Sequence, residues 1–161
     1  MKEKTIAICS IIFLILINSV LKPPSGYSFI APSLPVAGII FWLINKNELL
    51  NDYNIFVIGL FNDFVLGTPL GSSCILYYLV KLFVSFLHKR FNKKNFYLNS
   101  IKVIISFSIY FSLVYTFIIF YYKNYPSISY FFMNYLLTIF IFPIISIIFN
   151  WILNKNKLKV I

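Results

Sequence analysis

Asp63 is the one acidic side chain inside the long apolar stretches of this sequence, and glycines flank it at helical spacing. The segment reads Gly59-Leu60-Phe61-Asn62-Asp63-Phe64-Val65-Leu66-Gly67-Thr68-Pro69-Leu70-Gly71. A carboxylate at the centre of a bilayer costs roughly 2.5–3.5 kcal/mol on insertion scales. An acid kept there marks a functional or assembly site with a partner. Gly59, Asp63 and Gly67 stand at i, i+4 and i+8 and share one face of a helix that runs that far. Glycines on that face let another backbone come close enough to satisfy the acid. The chemistry is that of a packing or partner contact. A proton or ion relay would need further acids along a path, and none follows.

Lys81 is the other ionisable residue deep in apolar sequence, on the next helix of the same hairpin. Two readings stand side by side. It pairs with Asp63, lowering the cost of both charges, or it snorkels to the membrane surface while Asp63 accepts hydrogen bonds near the opposite interface. Ser108, Ser112 and Thr116 recur every fourth residue. Small hydroxyl residues on one face allow close helix approach in lipid, either within the bundle or against a partner protein. Asn18, Asn62, Asn134 and Asn150 are candidates for hydrogen bonds between helices.

Little else could carry chemistry. His88 opens a basic loop without a second His, a Cys or an Asp beside it, which suits a solvated or headgroup-contacting side chain. Cys9 and Cys74 lie in separate apolar stretches without a CxxC and act as small fillers. Glu48 and Asp52 stand four apart in a polar loop, solvated or capping. The sequence has no HExxH, P-loop, GxGxxG after a strand or GxSxG. No catalytic residue, cofactor or metal is expected, and the chain reads as a non-enzyme.

Composition decides the setting. The chain has 161 residues, 60% hydrophobic, 20% aromatic and only 11% charged, with a mean hydropathy of +0.87. Soluble domains carry about 25% charged residues, so this one cannot cover a water-facing globule. The net charge of +10 is spread over short loops, so nucleic acid is excluded and the charge reads as membrane topology.

The expected architecture is an all-α integral membrane protein, a single polytopic domain over 1–161. Its spans are expected at about 5–21, 29–44, 55–66, 74–87, 101–121 and 129–153. The first is an uncleaved helix, because Lys22-Pro23-Pro24-Ser25 lacks a small-x-small cleavage pattern. Trp42 closes the second at an interface. The third and fourth are short, about 20 Å each against a hydrocarbon core of about 30 Å. They form either two crossings or a re-entrant hairpin. Gly67 ends the third, Pro69 blocks its resumption, and Ser72 or Ser73 caps the fourth. Pro143 should kink the last.

Charge sets the orientation. With both termini cytoplasmic, the inside receives Lys2, Lys4, Lys46, Lys89, Arg90, Lys93, Lys94, the interfacial Lys102, Lys155, Lys157 and Lys159. Only Lys22 and Lys123 fall outside, as the positive-inside rule requires. Lys89, Arg90, Lys93 and Lys94 form a surface suited to anionic lipid, at roughly 1 kcal/mol per charge, or to an acidic cytoplasmic partner.

The stretch from Pro32 to Tyr78 resembles the bacterial rod shape-determining protein MreD family. The matching features are the Pro-rich lead-in Ala31-Pro32-Ser33-Leu34-Pro35 and the aromatic-Trp pair Phe41-Trp42. The Gly-Leu-x-x-Asp block at Gly59–Asp63 follows, then Gly-x-Pro-Leu-Gly at Gly67–Gly71. After Trp42, where family members often carry a basic-Pro pair, this chain has Asn45-Lys46-Asn47-Glu48. The resemblance implies a non-enzymatic inner-membrane scaffold subunit of the cell-elongation complex, with no cofactor. It would associate with an MreC-like protein, and through it with the MreB filament, RodA and its penicillin-binding transpeptidase. The family is also similar in helical architecture to the substrate-binding subunits of energy-coupling-factor transporters. That similarity implies a second reading, a small-molecule-binding membrane subunit.

Overall fold

The computed structural model describes residues 2–20, 32–90, 96–123 and 127–157, and within them the chain is helical. Six helices follow one another: α1 Lys2–Val20, α2 Leu34–Lys46, α3 Asp52–Leu66, α4 Ser72–Arg90, α5 Phe96–Tyr122 and α6 Ile128–Lys157. A 3₁₀ turn, Asn47–Leu49, links α2 to α3.

Helix α2 is the axis of the bundle. Every residue from Leu34 to Ile44 is buried, because α1, α4, α5 and α6 all pack on it. A helix apolar on all sides must be enclosed on all sides, and LPVAGIIFWLI meets that requirement. Pro35 sits in the first turn, where its missing N–H has no intrahelical partner to lose. The expected start at residue 29 is not met, since the helix begins at Leu34; residues 29–31 lie outside the described residues.

Trp42 is a correction. It does not mark an interface but is 1% exposed, and its indole Nε1–H donates to Ser10 Oγ on α1 at 3.0 Å. Its ring lies 5.5 Å from Phe41 and 5.8 Å from Phe149, so an aromatic cluster ties α2 to α6. Lys46 closes the same end of α2 through an ion pair with Glu3 at 2.5 Å.

Among the described residues, three helices are long and apolar enough to cross a membrane, over Glu3–Val20, Leu98–Tyr121 and Ile128–Asn154. Of the other three, α2 and α3 are short and α4 is less apolar. Helix α2 has 13 residues and α3 has 15, about 20 and 22 Å at the usual rise. Helix α4 has 19 residues, longer than the expected span, and carries His88, Lys89 and Arg90 in its last turn. Helix α6 continues through Pro143 for 30 residues.

The outer surface is apolar. Phe120, Phe140, Ile147 and Trp151 are all more than half exposed, a display that water would not tolerate over so large an area. Lys102 is placed differently from its interfacial expectation, at 4% exposure beside Val103 and Ser106 on the inner face of α5.

Candidate functional site

Helices α3 and α4 form an antiparallel hairpin, and its tip is built around Asp63. Helix α3 ends when Gly67 adopts φ 69°, the left-handed conformation that glycine takes without strain. The N–H groups of Gly67 and Thr68 then return to the Asp63 carbonyl at 2.9 and 3.2 Å. Pro69 to Ser72 makes the reversing turn, with Ser72 N donating to Pro69 O at 3.0 Å. Gly71 occupies its third position at φ 92°, where a type II turn needs positive φ.

The Asp63 side chain, 1% exposed, reaches across this turn to the start of α4. Its Oδ2 accepts the backbone N–H of Gly71 at 2.7 Å, and the N–H of Ser73 is shared between Oδ1 at 3.2 Å and Oδ2 at 3.3 Å. The Oδ1 also accepts the hydroxyls of Thr68 at 2.6 Å and Ser72 at 3.1 Å. All four donor residues point at an acceptor-only group, which is what an ionised carboxylate supplies. Negative charge at a helix N-terminus also meets the positive end of the helix dipole. Asp63 is therefore the cap of α4, delivered from the preceding helix. Ser72 and Ser73, expected as the caps, are instead donors to it. Beside it, Asn62 Nδ2 donates to Ser73 Oγ at 2.8 Å, a buried second tie between the two helices.

One turn deeper, Gly59 lets the two backbones meet. A Cβ on Gly59 would lie 2.7 Å from both Cα and N of Cys74 and 2.9 Å from its Sγ. Those backbone atoms cannot rotate away, so no side chain fits. Gly67, by contrast, has nothing within 4 Å of a Cβ position. Its role is the turn, not the shared packing face expected from the i, i+4, i+8 spacing.

Lys81 does not pair with Asp63. Its Nζ lies 2.6 Å from Asp52 Oδ1. The register explains the choice: with Gly59 against Cys74, Lys81 and Asp52 are each seven residues farther from the tip and come level. Asp63 stands about 16 Å away along α3 at the usual helical rise. Asp52, expected in a loop, is the first residue of α3.

Ser108, Ser112 and Thr116 are all exposed on α5, and of the three Ser108 reaches the edge of α6. Ser108 Oγ is 3.0 Å from the Tyr135 hydroxyl of α6 and 3.0 Å from Ile104 O, and Thr116 donates to Leu113 O at 2.8 Å. The inner hydroxyl of α5 is Ser106, which donates to Lys102 O at 2.6 Å. Lys89 and Arg90 are exposed at the end of α4; Lys93 and Lys94 lie outside the described residues. Further ties escaped the sequence reading, among them Asn47 Nδ2 to Ser85 Oγ at 3.0 Å and Ser33 N to Thr138 Oγ1 at 3.2 Å. Single Asn, Ser and Thr residues in an Asn-rich chain give no signal of their partners.

Grooves open on the described surface between helices. One, of 370 Å³, runs between α3 and α4 from Asp52 to Cys74. Another, of 400 Å³, lies between α1 and α6 and is lined mainly by Ile, Leu and Phe. Among the described residues no three His, Cys, Asp or Glu side chains converge as metal ligands would.

A family model of the rod shape-determining protein MreD matches residues 2–155. Comparison with curated proteins and with solved structures returns no match. The family match runs from the start of α1 to within two residues of the end of α6, the Asp63-capped hairpin included, and on that extent the chain belongs to the MreD family of rod shape-determining membrane proteins.

Proposed function

We propose that this chain is a non-enzymatic scaffold subunit of the bacterial cell-elongation complex that directs peptidoglycan synthesis. It resides in the inner membrane as a multi-pass protein with both termini cytoplasmic. Its direct partner is an MreC-like membrane protein, through which it meets the MreB filament, RodA and the penicillin-binding transpeptidase. The family membership supports this reading.

The observation that carries it is how the polar groups are used. Both oxygens of the one deeply buried acid are filled by Thr68, Gly71, Ser72 and Ser73, so Asp63 serves the hairpin. The small-residue face of α5, by contrast, is exposed at Ser108, Ser112 and Thr116 and meets α6 at its edge through Ser108 and Tyr135. A face of Ser108, Ser112 and Thr116 lets a partner helix approach closely where hydrophobicity cannot drive association. Gly59, Asp63, Gly67, Pro69 and Gly71 then hold the hairpin that positions the bundle. Lys89, Arg90, Lys93 and Lys94 contact anionic lipid at the cytoplasmic surface.

The test has two arms. Depleting the chain in its own bacterium should round the cells, and restoring it should restore rod width. The purified protein in lipid, offered wall precursors and nucleotides, should convert none of them above a control lacking it. Turnover by the pure chain, or unchanged cell width on depletion, would reject the scaffold reading.

A further inference from the structure

The α3/α4 groove has a feature that the hairpin tip and the α5 face do not use. It is apolar along most of its length, walled by Tyr53, Phe56, Ile75 and Tyr78 over a floor at Cys74, and it ends at the Asp52 carboxylate. Tyr53, Phe56 and Ile75 are more than half exposed, so this chain leaves the walls uncovered. The ion pair at that end is lopsided. Lys81 is 14% exposed in its side chain, whereas Asp52 is 70% exposed. The lysine stem lies along the protein, as amphipathic side chains do. The carboxylate keeps lone pairs open after accepting the one lysine. The groove thus offers a slot for a hydrocarbon chain and, at one end, a fixed cation beside an accessible anion.

We propose that this groove holds one glycerophospholipid whose headgroup carries both a phosphate and a primary ammonium. The ammonium donates to Asp52, the phosphate lies against Lys81, and one acyl chain follows the groove toward Cys74. Charge complementarity selects this class. A purely anionic headgroup would set its phosphate beside the Asp52 carboxylate with no cation of its own to offset the repulsion. A quaternary ammonium carries the right charge but has no N–H to donate, so it forgoes the charge-assisted hydrogen bond.

The test is native mass spectrometry of the purified chain in detergent, titrated with dioleoyl phosphatidylethanolamine, phosphatidylcholine or phosphatidylglycerol. Retention of one phosphatidylethanolamine with roughly tenfold preference over the other two is expected from one charge-assisted hydrogen bond. Asp52→Asn should erase that preference. Ile75→Trp, at an exposed groove wall, should lower retention of all three lipids while leaving the unfolding temperature unchanged. Equal retention of the three lipids by the natural chain overturns the proposal, as does a preference that survives Asp52→Asn. So does a co-purifying protein that Ile75→Trp displaces while lipid retention stays the same.

Discussion

The Oδ2 of Asp63 lies 2.7 Å from the backbone nitrogen of Gly71, so the last turn of α3 caps the first turn of α4. Gly71 can present its N–H there because it holds φ 92°. Removing the carboxylate leaves the buried N–H of Ser73 and that of Gly71 without acceptors, at about 1–3 kcal/mol each. Asp63→Leu should therefore lower stability by about 2–6 kcal/mol, despite making the span more apolar. Thermal unfolding in detergent, followed by tryptophan fluorescence, checks this. An unchanged midpoint would show that the cap carries no stability.

Gly59 and Gly67 should fail in different ways. Gly59→Leu drives a side chain into the Cys74 backbone and should part α3 from α4, at about 3 kcal/mol or more. Gly67→Ala meets no atom and should cost only about 1–2 kcal/mol for its left-handed backbone. Unfolding midpoints of the two variants, measured side by side, should rank Gly59→Leu as the more damaging.

Trp42→Phe should be mild. An aromatic ring against Phe149 is kept while the hydrogen bond to Ser10 is lost, worth about 0.5–1.5 kcal/mol. A larger loss of midpoint would mean that indole volume, not the hydrogen bond, holds α1 to α2.

Helix number and the hairpin turn were legible in the sequence because apolar length, Gly67 and Pro69 are local signals. The Asp63 site was legible as a buried acid needing partners, yet its partners were not. Spacing gives the face of a helix but not the register of the next, and register sent Lys81 to Asp52 and the α4 N-terminus to Asp63. Trp42 misled for a related reason. Tryptophan near the end of an apolar run is common at membrane interfaces, and only the enclosure of α2 by four neighbours makes it core. The Ser108/Ser112/Thr116 period was plain, but whether it turned inward or outward depended on which face α4 and α6 left open.

Orientation is testable directly. In a background with Cys9→Ala and Cys74→Ala, Lys93→Cys should resist a membrane-impermeant thiol reagent in intact cells whose outer barrier, if any, is opened. Lys123→Cys should react. The reverse pattern would place the termini outside.

The most direct measurement is co-purification from native membranes of a tagged chain carrying Ser112→Trp, with cell width recorded in the same strain. Ser112 is exposed, so the variant should keep its unfolding midpoint and membrane level. It should lose most of its MreC-like partner and give rounded cells. Full partner recovery with normal cell width would contradict the assignment of the α5 face as the scaffold contact.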